Sequence, residues 1–179
     1  MPNWCNNNID ITGPVEKIQA MWNEARECEG LLNAMVPMPE RLKDTVKGSN
    51  GDADNWYDWA VSNWGTKWDV SPEGLEIEAA GDGTAELTGY FDSAWAPPIE
   101  AYNRFLEANE DCSITASYYE MGCDFAGLYN DGEDEYLENL QDEYKLPEDQ
   151  QSDLFKRLDD EWNLSEQFAE YDDFEMGDE

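Results

Sequence analysis

Charge is distributed unevenly along this chain, and that unevenness limits what its last part can become. Residues 130–179 hold 20 of the 43 acidic residues and only 3 of the 10 basic ones, so about half of the net charge of −33 falls on 50 residues. A segment that acidic repels itself and offers few apolar side chains, so it cannot close a core alone. The chain as a whole is 40% hydrophobic and 13% aromatic, enough to bury a core elsewhere. The expected organisation is a folded domain over 1–130 and an acidic helical extension over 131–179.

The same charge excludes whole classes of function. It repels DNA, RNA and anionic membranes and draws the chain toward basic surfaces. Direct nucleic-acid binding is excluded because Lys and Arg contacts to phosphate supply most of that affinity. The chain has no histidine, which removes imidazole acid–base chemistry, the Ser-His and Cys-His pairs and the usual zinc ligand sets. Cys5, Cys28, Cys112 and Cys123 lack C-x-x-C spacing and read as small buried hydrophobes. With no signal peptide at "MPNWCNNN" and no long apolar run, a cytoplasmic location with reduced thiols is expected.

Loop motifs point the same way. A calcium loop starting at Asp131 would place Tyr136 where glycine is required and Asp142 at its twelfth position; one starting at Asn50 would end on Val61. No G-x-S-x-G, P-loop or dinucleotide fingerprint occurs. Acid pairs are too common here for a glycosidase-type pair to carry a signal. Neither catalytic residues nor a cofactor or metal is expected.

Periodicity supplies the fold class. "NNNIDITG" alternates and reads as a strand, with Gly13-Pro14 opening a helix that carries Val15, Ile18, Met21 or Trp22, and Ala25 on one face. "LLNAMVPMPE" is broken by two prolines and reads as a connection. "LEIEA" and "TAELTGYFDS" alternate on either side of "AGDG", a hairpin signal. A second helix over 97–109 follows two prolines, and "CSITASYYEMG" with "CDFAGLYNDG" makes a second hairpin. Strand, helix, hairpin, helix and hairpin in that order predict an α+β, ferredoxin-like antiparallel sheet with two helices on one face. From 133 the spacing of Leu137, Leu140 and Tyr144, and then of Phe155, Leu158 and Trp162, predicts helices alone, with narrow apolar stripes and wide acidic faces.

Five stretches occur in this order: "MPNWCNN" at 1–7, "VPMPE" at 36–40, "YDWAVSNWGTKWD" at 57–69, "AWAPPIEA" at 94–101 and "YYEMGCDFAGLY" at 118–129. Together they resemble the YubB-type ferredoxin-like proteins carried by phages and conjugative plasmids. The resemblance covers residues 1–130 and implies a ferredoxin-like domain encoded on a mobile element. It brings no activity, and so no catalytic residue. The acidic segment lies outside it.

Two candidate sites follow. The acidic segment approaches the charge density of a duplex, which carries one negative charge per roughly 1.7 Å of axis. Asp131, Glu133, Asp134, Glu135, Glu138, Asp142, Glu143, Asp159, Asp160, Glu161, Glu166, Glu170, Asp172 and Asp173 would replace phosphates on a partner, with Tyr136 and Trp162 anchoring the helices to the body. The expected function is a non-enzymatic, phage- or plasmid-encoded inhibitor that mimics nucleic acid and blocks a basic surface of a host restriction or CRISPR-type defence protein. The alternative is a small ligand-binding protein or enzyme with a pocket at Trp64, Lys67 and Trp68. Against that pocket, Lys67 can supply a cation to an indole itself, and the tryptophans of 56–68 then read as core.

Overall fold

The computed structural model describes residues 3–46 and 54–176, with side chains described through Tyr171. The loop residues 50–53 and the side chains of Asp172 and Asp173 lie outside the described residues.

The chain runs β1 (Trp4–Pro14), α1 (Val15–Glu27), α2 (Leu31–Met35), α3 (Glu40–Lys43), α4 (Trp56–Trp64), a 3-10 turn (Pro72–Gly74), β2 (Leu75–Ala79), β3 (Thr84–Ala94), α5 (Ile99–Ala108), β4 (Ser113–Glu120), β5 (Phe125–Asn130), β6 (Glu133–Glu138), α6 (Leu140–Lys145), α7 (Asp153–Trp162) and α8 (Leu164–Met176). The six strands form one antiparallel sheet in the order β2-β3-β1-β4-β5-β6. α1 and α5 each join two parallel strands separated by a third, the split βαβ arrangement of a ferredoxin-like fold.

Alternation decides what each strand buries. Along β1, Cys5, Asn7, Ile9 and Ile11 turn inward while Asn6, Asn8, Asp10 and Thr12 turn to the other face. The first face packs Ile9, Ile11, Leu87 and Ile114 against Ile18 and Met21 of α1 and Tyr102 and Phe105 of α5. The connection expected over 31–40 contains a short helix, α2, and leads into a second, α3. α4 starts where the Asn55 side chain accepts from the Tyr57 and Asp58 N–H groups, and it stops at Gly65, whose φ of 84° is left-handed and favours glycine.

Two expectations are corrected. Residues 133–138 form β6 instead of helix, paired to β5 from Asn130↔Glu133 to Phe125↔Glu138. The turn between them has positive φ at Asp131 (46°) and Gly132 (99°), the Asp-Gly hairpin geometry that matches strand twist. Residue 130 is thus the last of β5, and the boundary expected there falls inside a β-meander. Helices also cover both faces of the sheet. α6, α7 and α8 pack Leu140, Phe155, Leu158, Leu164 and Phe168 against Tyr119 and Ala126 on the second face.

The acidic helices therefore share a core with β4 and β5. Phe155 is fully buried, and Phe155→Ala is expected to lower the unfolding free energy by about 3–5 kcal/mol. Urea denaturation followed by tryptophan fluorescence and far-UV circular dichroism checks this, with coincident transitions in both chains.

Candidate functional site

The second face of the sheet is only half covered. α7 is held over β4 by Trp162, whose Nε1–H donates to Ser117 Oγ (3.0 Å) and whose ring meets Tyr119 edge-on at 4.8 Å. Ser117 Oγ and Asn8 Nδ2 both donate to the Glu161 carboxylate, at 2.5 and 2.8 Å. Beyond this seam no helix among the described residues lies over β1, β3 and β2 on this face. A cavity of about 340 Å³ opens beside α7, lined by Asn8, Asp10, Ser117, Leu128, Arg157 and Glu161 among others.

The open half is acidic. Register puts Glu78 directly opposite Glu86 and places Asp10 and Glu76 on either side of Thr88. Like charges across a strand pair destabilise it. Burial, and then a hydrogen bond with Glu86, push the Asp10 carboxyl up to about 6. Asp10, Glu76, Glu78 and Glu86 were absent from the sequence-based site. Their signal was present in the alternation of "LEIEA" and "TAELT", which marked them as outward-facing without saying that the strands would bring them together.

The structure divides the expected contact acids into two groups. Several are engaged internally. Asp131 accepts from Ser113 Oγ and the Ile114 N–H. Asp134 accepts from Tyr118 Oη at 2.8 Å; burial pushes its carboxyl up, partly offset by that bond. Glu135 pairs with Arg157 at 3.0 Å. Glu143 accepts from the Ser152 N–H, and Asp159 accepts from the Ser165 N–H and Oγ. Glu161 is bonded as described above. Glu133, Glu138, Asp142, Asp160, Glu166 and Glu170 are exposed and carry no side-chain hydrogen bond or ion pair among the described residues. Trp162 anchors a helix as expected. Tyr136 does not: it lies on β6, half exposed against Phe125.

The tryptophan-rich stretch separates into two environments. Trp64 is buried, donates through Nε1 to the Val36 carbonyl at 2.9 Å and meets Trp59 edge-on. Trp68 is exposed beside Trp4, with Lys67 Nζ 4.1 Å from its ring centroid. Trp64 thus belongs to the core and Trp68 to the surface, because Gly65 turns the chain between them. The cysteines differ from expectation as well. Cys5 is buried and Cys112 partly so, but Cys28 and Cys123 are exposed, and all four are unpaired. Among the described residues no group of three or more Cys, Asp or Glu is placed to hold a metal, and no helix is long and apolar enough to cross a membrane.

A six-stranded antiparallel sheet with these crossovers defines an α+β ferredoxin-like protein. Residues 63–172 match the family described as the ferredoxin-like domain in Api92-like protein, and the chain belongs to that family. The match runs through β6, α6 and α7 into α8, so the acidic segment lies within it as far as residue 172. YubB of Escherichia coli (strain K12) is 30% identical over 91 residues, 49% of this chain and 61% of that protein's length. The YubB-type resemblance read from the motifs is borne out. The crystal structure of api92 from Yersinia pseudotuberculosis aligns with a TM-score of 0.42 at 14% identity, covering 77% of this chain and 98% of that one.

The Asp10 shift has a defined pH signature. Between about pH 4 and 6 the folded chain keeps a proton that the unfolded chain has released, so this group's contribution to stability falls as pH rises through that window. Asp10→Asn is expected to raise stability at pH 7.5 by about 1 kcal/mol or less, because water screens a partly exposed carboxyl. That corresponds to about 2–4 °C in Tm. Thermal melts across pH 4–8 check it: the advantage of the variant should vanish toward pH 4.

Proposed function

We propose that the chain is a non-enzymatic binding protein that presents carboxylates to a basic, nucleic-acid-binding surface of another protein and competes there with nucleic acid. The observation that carries this reading is the open half of the second sheet face. Alternate residues on a strand stand about 6.8 Å apart on one face and neighbouring strands about 4.8 Å apart. Glu76, Glu78, Glu86 and Asp10 therefore form a two-dimensional array of acids on a rigid support, with no helix above it. Exposed Glu133 and Asp160 extend the acid beyond the seam. A rigid array needs little reorganisation to meet a fixed row of Lys and Arg.

The resemblance to proteins of phages and conjugative plasmids supports a finer version. The chain would act in the cytoplasm of a bacterial host, and its partner would be a defence complex of the restriction or CRISPR type whose groove is built for phosphates. It would touch neither nucleic acid nor membrane directly.

Capture from bacterial lysate tests the reading, with washes at about 100 and 500 mM salt, a range over which contacts to rows of charge weaken strongly. The native chain is compared with a variant carrying Gln at Glu76, Glu78, Glu86 and Glu133 and Asn at Asp160. A control carries Gln at Glu16, Glu24 and Glu27, exposed acids of α1. A nucleic-acid-binding protein should be retained at low salt by the native chain and the control, and the five-site variant should bind it roughly tenfold more weakly or worse. Retention of the same protein by all three chains, unaffected by salt, would contradict the proposal.

A further inference from the structure

We infer that the groove between the Trp4–Trp68 pair and Tyr90 is the anchor of this interaction, and that it takes an arginine side chain of the basic partner. This rests on the reading of the chain as an acidic binder, and it names a site which that reading does not require.

One end of the second face is aromatic and uncovered. Trp4 is 48% exposed, Trp68 38% and Tyr90 60%. Trp4 and Trp68 lie with ring centroids 6.1 Å apart, and Tyr90 leans edge-on against Trp162 at 5.6 Å, which continues the aromatic surface to the α7 seam. Between Trp4 and Tyr90 is a cavity of about 390 Å³, lined also by Asp69, Glu73 and Asp92. Register sets Trp4 opposite Ala94, Asn6 opposite Asp92 and Asn8 opposite Tyr90. Asp92 therefore stands between the two rings on the same face.

The three carboxylates of this groove differ in their duties. Asp69 accepts from the Leu32, Asn33 and Val70 N–H groups and holds the wall together. Asp92 and Glu73 are exposed and have no side-chain hydrogen bond or ion pair among the described residues. Two unpaired acids in a cavity shared with Trp4 and Tyr90 suit a planar guanidinium, which stacks on a ring while its N–H fork meets a carboxylate. The chain already shows this attraction in Lys67, which lies over Trp68. Trp95, 47% exposed, has a φ of 74°, an unusual backbone for a bulky residue. It is pinned where its N–H donates to the Asn3 carbonyl, and it brings a further indole to the same end of the β1–β3 pair.

Charge complementarity selects the occupant. Phosphates and anionic lipid headgroups are repelled by a net charge of −33, whereas a basic segment is attracted by the acids and then held by the rings. Aromatic residues in a partly enclosed pocket are the usual source of concentrated binding energy at an interface. Distributed acids contribute mostly to encounter rate and orientation.

The test uses the full chain and three defined probes: a capped hexa-arginine peptide, a capped hexa-lysine peptide and cellohexaose. Indole Nε1–H and backbone amide NMR signals are followed at about 150 and 500 mM salt, the higher value screening long-range attraction. Hexa-arginine should shift the Trp4 and Trp68 indole signals and the Tyr90 and Asp92 amides saturably, ahead of hexa-lysine, and keep that preference at high salt. Trp4→Ala and Asp92→Asn should each weaken it by about fivefold or more. Asp92 is exposed, so its variant keeps the test valid should Trp4→Ala fail to fold. Shifts confined to Glu76, Glu78 and Glu86, unchanged by both variants, would overturn the anchor and leave the acidic-surface reading standing. No binding of either peptide would overturn both. Larger shifts of the same indoles with cellohexaose would make the groove a sugar site and overturn the arginine assignment.

Discussion

The seating of α7 across β4 is the contact on which the rest of the arrangement depends. Trp162 and Glu161 converge on Ser117, and Phe155 and Leu158 fill the layer beneath. Burying two such side chains stabilises the docked state by about 3–6 kcal/mol before ordering costs. An acidic helix is thereby held against an acidic protein. The same seam divides the second sheet face into a covered half over β4–β6 and an open half over β1, β3 and β2. The acids of β1, β2 and β3 and the groove between Trp4 and Tyr90 lie on that open half.

Much of the ferredoxin-like part was legible because its signals are local. Alternation in "NNNIDITG", "LEIEA" and "TAELT" sets the inward and outward faces, and paired prolines open α5. The sequence hides β6 because Leu137, Leu140 and Tyr144 fall at helical spacing, while the Asp131-Gly132 turn also resembles the opening of a calcium loop. Turn chemistry was the better guide: those two residues adopt the positive φ of a tight hairpin.

The site was less legible, for a physical reason. Whether a carboxylate is free depends on partners that sequence distance conceals. Glu161 is bonded to Asn8, 153 positions away, and Asp134 to Tyr118 across the sheet. Counting acids after residue 130 could not separate these from Glu133 or Asp160. Conversely, Asp10, Glu76, Glu78 and Glu86 are modest in number and scattered in sequence, and strand order alone gathers them. Trp68 shows the same limit from the apolar side. It belongs to the motif that supplies Trp64 to the core, yet it faces water beside Trp4.

Native-state hydrogen exchange tests the central claim, that the acidic helices and the ferredoxin-like sheet form one cooperative unit and so fix the open face. The account predicts that the slowest amides of α7 exchange with the same opening free energy as those of β4 and β5, and that Trp162→Ala speeds exchange in α7 and the adjoining strands together. Exchange of α7 orders of magnitude faster than that of β4 and β5, at the rate of a free peptide, would contradict it.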